Sequence, residues 1–330
     1  MHSLHLRATF FLLSLIFCIF LALRPIPSIY SDNDTGRYVS DFHDYCHAAL
    51  ESTEQESKDL SYKVFYSVFS PLCVAGSDQL FLFFVAMLLP LSFLFFLEWS
   101  PFTFSIAVIT VISTYGLELA TNAFRQDLSM VLFFYALSKL RAKPRVAYVI
   151  GAVSAIAHIS ALLFFPFLIF VQYDTIKFFK KPKRLKLAIG LLAIAFLIVA
   201  RYLKSMLETD FFEFYTAIYS DASGAPFVAF MTLPLYIIFA SRFFIQRNEI
   251  SNLEISSVAY STLAILISLI FFPAIEYRLA LFSVPLQMFL VAEARNCSRS
   301  VCAAVVSFLV VHVAIMLTLS SNYSYIWAHL

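Results

Sequence analysis

Apolar positions in this chain come in long runs more than in stripes. Phe10 to Leu23, residues 79–97, 101–117, a stretch beginning near Thr121, and residues 185–203, 227–241, 255–272, 279–292 and 301–320 are each nearly unbroken in hydrophobic side chains. A helix of about 20 apolar residues spans the hydrocarbon core of a bilayer. No water is available there to satisfy the backbone, so helices are the default spanning element. The pattern predicts an all-α polytopic membrane protein with about nine full transmembrane helices, forming one integral membrane domain over residues 1–330. The first run follows "MHSLHLR", and "ALRPIPS" makes a poor small-x-small cleavage site, so the run is expected to stay as a helix.

Charge between the runs sets the expected orientation, because basic loops stay in the cytoplasm. With the N-terminus inside, residues 25–78 form an acidic extracytoplasmic loop, within which "SYKVFYSVFSPL" suggests a short amphipathic helix at the interface. The "LELA" stretch reads as a tight outer turn. The inner loop "SKLRAKPR" follows, and residues 204–226 form a second acidic extracytoplasmic loop. Residues 146–171 break the alternation. They are apolar, yet "SKLRAKPR" precedes them and "KFFKKPKRLK", with six basic residues, follows. Both loops stay inside if 146–171 is a re-entrant helical hairpin turning near His158. A small-residue stripe of Gly151, Ser154, Ala155, His158 and Ala161 suits one continuous helix instead.

Composition agrees with a membrane location: 61% of the 330 residues are hydrophobic and 13% charged, against about 25% charged in soluble domains. No basic-aromatic pattern for nucleic acid occurs, nor a Walker, Rossmann or Cys-x-x-Cys motif. The five cysteines lack metal-ligand spacing, no metal or other cofactor is expected, and "DND" at 32–34 is a weak metal motif in an acidic loop. Cys46 and Cys73 share the first extracytoplasmic loop and could form a disulfide there.

This topology brings Arg125, His158, Glu276 and Arg278 to the extracytoplasmic side, with Asp32 and Asp34 in the loop above them. An ionisable residue inside a membrane usually faces a cavity or a partner. Taken singly, each has an ordinary explanation. Arg125 could snorkel with Asp127 solvated beside it, His158 could pack against backbone, Glu276 and Arg278 could pair in an exposed loop, and Glu118 and Asn122 could decorate a turn. Together they suit a wet pocket opening outward. Two arginines can hold a pyrophosphate through paired hydrogen bonds. A carboxylate or histidine can take the proton of an attacking hydroxyl. Such a site suits displacement of pyrophosphate from a lipid-carried sugar.

The run "TNAFRQDLSMVLFFYALSKLRAKPRVAYVIGAVSAIAHISALLFF" resembles the centre of the EpsG group of Wzy-type polysaccharide polymerases, with its Asn-x-x-Arg-Gln, basic turn and His-x-Ser-Ala. Asn122, Arg125, Gln126, His158, Ser160 and Ala161 carry the likeness. "RPIPSIYSDNDTGRYVSDF" resembles the group's Arg…Asp-x-x-x-Tyr loop at Arg24, Asp34 and Tyr38, and "EYRLALF" resembles its late arginine segment at Arg278. "KDLSYKVFYSVFSPL" lacks the glutamate of that group ahead of its aromatic. The resemblance implies a GT-C-like, all-helical glycosyltransferase in the bacterial cytoplasmic (inner) membrane, its site facing the periplasm. Its partners would be undecaprenyl-pyrophosphate-linked glycans, membrane lipid and a chain-length regulator. Arg125 and Arg278 would grip the donor pyrophosphate, aided by Asn122, Gln126 and Ser160. His158 would be the base or a phosphate partner, and Asp34 the alternative base or the group orienting the acceptor hydroxyl. Glu276 and Tyr38 would position sugars. A transporter or flippase of lipid-linked sugars, and a membrane acyltransferase acting on glycans, remain alternatives.

Overall fold

The structure, a computed structural model, describes residues 2–26, 34–51, 60–140, 142–158 and 299–319, with positions 161, 164–165, 168–169, 285–286 and 288–289. Among these residues every regular element is a helix. The chain divides into two compact units, Met1–Phe165 with Ala292–Leu330, and Pro166–Val291. The first carries the elements named below. In the second, Leu168, Ile169, Pro285, Leu286, Met288 and Phe289 are helical. The expected runs at 185–203, 227–241 and 255–272, and the loop 204–226, lie outside the described residues.

Helix α1 (His2–Ala22) contains a 20-residue stretch, Ser3–Ala22, long and apolar enough to cross a membrane. Phe10, Ser14, Cys18 and Leu21 are buried at helical spacing, while Leu12, Leu13, Ile16, Ile19 and Phe20 stay exposed on the outer side. That division suits a helix with one face on its neighbours and the other on lipid. Helices α4 (Asp78–Ala86) and α5 (Leu88–Phe96) make a second candidate span, Asp78–Phe96. Pro90 has no N–H to give to the Ala86 carbonyl, and a proline ring crowds that carbonyl, which accounts for the interruption. The Cys18 thiol donates to the Ala86 oxygen at 3.3 Å, so α1 supplies the missing partner.

The helix expected over 101–117 is interrupted: α6 (Pro101–Ile112) and α7 (Thr114–Thr121) meet at a 55° bend. Ser113 makes the joint: its hydroxyl donates to the Thr110 carbonyl at 2.7 Å and accepts the Gly116 N–H at 3.2 Å. A Cβ on Gly116 would overlap the carbonyl oxygens of Thr110 and Val111, so only glycine fits this close approach. The "LELA" turn is corrected by the structure. Leu117 to Ala120 lie in α7 and are buried, and the chain turns instead at Asn122 and Ala123. Leucine, glutamate and alanine are good helix formers, and Asn122 is the residue that leaves helical geometry.

Helices α8 (Phe124–Lys139) and α9 (Pro144–Ala157) form a close antiparallel pair across a short basic connection. Ala147, Gly151, Ser154 and Ala157 are buried on α9, so the small-residue stripe serves helix–helix packing. The helix stops at His158, which adopts an extended conformation. Beyond it the chain doubles back, and the ring of Phe165 lies 6.1 Å from that of Tyr148. A continuous helix would set these positions about 25 Å apart. The reversal near His158 is therefore present, and the straight-helix alternative is not. Helix α10 (Arg299–Leu319) packs against α6 and α7.

The segment expected as a loop over 25–78 is largely helical. It holds α2 (Thr35–Glu51), α3 (Leu60–Phe69) and a 3-10 turn over Ser70–Val74. Helix α3 matches the amphipathic expectation, burying Phe65, Tyr66 and Phe69 while Leu60 and Val68 stay exposed. Helix α2 is an addition, although Tyr38, Val39, Phe42 and Cys46 mark its buried face at helical spacing. A disulfide, which the shared loop left open as one possibility, joins Cys46 of α2 to Cys73 of the 3-10 turn. An aromatic cluster seats both helices on the bundle: Phe42 stacks on Phe81 of α4 at 4.3 Å, and Tyr38 meets Phe124 of α8 at 4.8 Å. Such ring pairs contribute about 0.5–1.5 kcal/mol each beyond the area they bury.

Candidate functional site

Arg125 stands in the first turn of α8, where the helix emerges from the two-residue break after α7. Its guanidinium is held by the overlying helices. Nη1 donates to Ser61 Oγ at 2.6 Å, Nε donates to Tyr38 Oη at 3.4 Å, and Cζ sits 4.1 Å from the centre of the Tyr62 ring. Two partners thus come from α3 and one from α2. The aromatic face stabilises the cation, and the hydroxyl bonds fix its direction. Burial pushes the Tyr62 phenol up to about 12, against a smaller downward pull from Arg125. Burial also raises the Tyr66 phenol, whose hydroxyl donates to the Tyr38 carbonyl at 3.1 Å. Both phenols remain neutral hydrogen-bonding groups.

Asp34 and Asn122 meet beside this arginine. The Asp34 N–H donates to Asn122 Oδ1 at 2.6 Å, and Asn122 Nδ2 donates to Glu118 Oε1 at 2.5 Å. Asp34 precedes α2, whose first turn closes with the Tyr38 N–H on the Asp34 carbonyl. Its carboxylate pairs with Arg37 at 3.4 Å, with both side chains partly exposed, a kind of pair worth little in stability. That carboxylate is thus accessible. Glu118 is buried, so it is a partner of Asn122 inside the bundle and not a turn decoration.

His158 reaches the same level from α9. Ser129 of α8 and Ser154 of α9 hydrogen-bond across the helix pair. Arg125 precedes Ser129 by four residues, and His158 follows Ser154 by four. In an antiparallel pair both lie about 6 Å beyond the serine contact, toward the same end. Helix α3, which grips Arg125, also packs on α9. Arg125, Asp34, Tyr38, Asn122 and His158 therefore gather at one end of the first unit.

Gln126 is buried in the interior at 1% exposure, away from solvent. Arg278, Glu276 and Ser160 lie outside the described residues. The ordinary reading of Arg125, with Asp127 solvated beside it, does not hold for Asp127. It is fully buried, because a step of two along a helix turns a side chain to the opposite face. Ser61 and Tyr62 were missed. Their signal was the "LSYKVFYSVF" amphipathic pattern, but nothing in the sequence says which helix they cover. Among the described residues, no group of three or more His, Cys, Asp or Glu side chains could hold a metal ion.

Long apolar helices, with a tethered arginine, a carboxylate and an imidazole at one end, define a helical membrane protein with polar chemistry concentrated at that end. The chain belongs to the EpsG family, whose model matches residues 7–328, and it is accordingly a membrane protein of polysaccharide biosynthesis. No curated protein and no solved structure matches it.

Proposed function

We propose that the protein is a polysaccharide polymerase, a glycosyltransferase that joins undecaprenyl-pyrophosphate-linked oligosaccharide repeat units at the periplasmic face of the bacterial inner membrane. The product would be an O-antigen, capsule or exopolysaccharide. One observation carries the proposal: Arg125 is held at the mouth of α8 by Tyr38, Ser61 and Tyr62, with Asp34 and His158 at the same end.

In the reaction, an acceptor hydroxyl forms a bond to the anomeric carbon of the donor glycan. The bond from that carbon to the pyrophosphate oxygen breaks, and the electron pair leaves on the lipid pyrophosphate. Arg125 binds the departing phosphates, and its preset direction stabilises charge as it develops. Arg278 is the proposed second grip, on the strength of the family likeness. The hydroxyl proton passes to His158 or Asp34. Asp34 has the accessible carboxylate, while His158 ends a helix at the level of the arginine. Tyr38 and Glu276 position the sugars. Neutral tyrosines around the arginine suit glycan and phosphate contacts, because they donate hydrogen bonds without adding negative charge.

Periplasmic placement is supported by the Cys46–Cys73 disulfide above the site, since such bonds persist in oxidising compartments. The GT-C-like architecture, with about nine spans and a re-entrant hairpin, is part of the same proposal. Cysteines placed at Lys143 and Pro182 test the topology: both are expected to resist a membrane-impermeant maleimide applied from outside, and labelling of 182 alone would remove the hairpin. Glycan ladders test the function. Arg125→Ala at normal protein level is expected to leave single repeats on the surface lipid, whereas a transporter defect would keep repeats from reaching it. Long chains from Arg125→Ala would refute the donor site.

A further inference from the structure

Arg24 lies just past the end of α1, and its guanidinium ties three segments together. Nη1 donates to the Leu21 carbonyl at 2.7 Å, closing the last turn of α1. Nη2 donates to Thr35 Oγ1 and to the Thr121 carbonyl, each at 3.1 Å. The Thr35 hydroxyl itself donates to that Thr121 carbonyl, and Thr35 is fully buried. Thr35 opens α2, and Thr121 closes α7 immediately before Asn122.

We infer that Arg24 is a positioning residue: it latches the start of α2 onto the α7–α8 junction and thereby holds Asp34 and Tyr38 beside Arg125. Asp34 and Tyr38 lie on either side of Thr35 along one short stretch, and both touch the junction, one through Asn122 and the other through Arg125. Asn122 is oriented by Glu118, so the α7 side of the contact is fixed from within the bundle. On the α2 side, the guanidinium fork and the threonine it reaches fix the residues at the helix start, while Tyr38 is also seated by its ring on Phe124 and by the Tyr66 hydroxyl on its carbonyl. A planar guanidinium can serve the Leu21 carbonyl and the Thr35–Thr121 pair together, whereas an ammonium is a single point of donation. Release of the fork would loosen Asp34 and Thr35 at the start of α2, while the Tyr38 ring on Phe124 and the Phe42 ring on Phe81 still anchor the rest of the helix. The catalytic meaning of the latch rests on the polymerase assignment above, but its mechanical part does not.

The test is hydrogen exchange on the full-length protein in nanodiscs, read together with glycan ladders from cells making the same variants. Arg24→Gln is expected to speed exchange of amides 34–39 by about tenfold, the effect of losing a charge-assisted hydrogen bond, with residues 78–96 unchanged. Its ladder is expected to shorten at normal protein level, and Arg24→Lys to restore part of it. Thr35→Val, which leaves the guanidinium in place, is expected to give a smaller change of the same kind and covers the case in which Arg24→Gln fails to fold. Unchanged exchange at 34–39 in both Arg24→Gln and Thr35→Val overturns the latch, whatever the protein does. Fast exchange with full-length ladders overturns its part in the reaction, provided Arg125→Ala still abolishes long chains. Long chains from Arg125→Ala would instead mark failure of the donor-site assignment on which the catalytic reading rests.

Discussion

Ser129 of α8 and Ser154 of α9 bond to each other reciprocally: the Ser129 hydroxyl donates to the Ser154 carbonyl at 2.8 Å, and the Ser154 hydroxyl donates to the Ser129 carbonyl at 2.6 Å. Both residues are fully buried. The pair sets the register of the two helices, and that register puts Arg125 and His158 at one level. Interhelical hydrogen bonds in membranes average about 0.6 kcal/mol and reach about 1.7. The double variant Ser129→Ala/Ser154→Ala is therefore expected to lose roughly 1–3 kcal/mol. Cysteines at both positions are expected to cross-link with a mild oxidant in membranes. Failure to cross-link would mean a different register.

The Cys46–Cys73 bond closes a loop with a sequence separation of 27. In the chain-entropy model a loop of that size contributes about 3.5 kcal/mol. Reduction, or the Cys46→Ser/Cys73→Ser variant, is expected to loosen α2 and the turn after α3. Cleavage by an added protease should then appear within 34–74 while the span Asp78–Phe96 stays intact. Equal resistance before and after reduction would count against the clasp.

Gly116 faces the last carbonyls of α6 with no room for a methyl group. Gly116→Ala must push α7 from α6 or straighten the bend. Both α7 and the start of α8 would shift, so lower yield and a fall in melting temperature in detergent are expected. Ala120→Gly in the same helix, a site with an ordinary helix former, is expected to cost only about 1 kcal/mol. Similar losses for the two variants would remove the special role of the bend.

Asp127 is fully buried, and neither carboxyl oxygen has a hydrogen-bond partner among the described residues. An unsatisfied buried polar group costs about 1–3 kcal/mol. Asp127→Leu, close in volume, is expected to raise the melting temperature, and Asp127→Asn to change it little. A stable Asp127→Leu protein that makes only single repeats would show that the carboxyl serves the reaction.

Tyr62 carries Arg125 on its ring, and burial raises its phenol from the ordinary 10.0 to about 12. The fold therefore favours the protonated form. The stability this brings is complete below pH about 10, the unfolded value, and is lost as the pH climbs from there toward 12. The alkaline stability profile of Tyr62→Phe is expected to fall less steeply over that window than the wild-type profile. Identical profiles would argue against a buried phenol.

Much of this protein was readable along the chain because a bilayer imposes length and apolarity on each element separately. The runs at Phe10 to Leu23 and 79–97 became α1 and the α4–α5 span, since each needed only its own composition to be helical. The reversal near His158 was accessible for a related reason, since two basic flanks forbid an odd crossing. The Arg125 candidate stood out because charge is costly inside a membrane, and Asp34 because its loop resembles the family's Arg…Asp-x-x-x-Tyr pattern. Other features depended on contacts between distant segments, which local pattern does not encode. Leu117 to Ala120 looked like a turn until the close fit of Gly116 on α6 bent the helix earlier. Whether Asp127 lay in solvent or inside was open along the chain, and the rotation of α8 turned it inward. Ser61 and Tyr62 gained meaning only when α3 came to rest on Arg125, and Arg24 only when its fork met both Thr35 and Thr121. Helices and their polar ends follow from local chemistry and the solvent around them, whereas the partners of those ends are chosen by packing, which is a property of the whole fold.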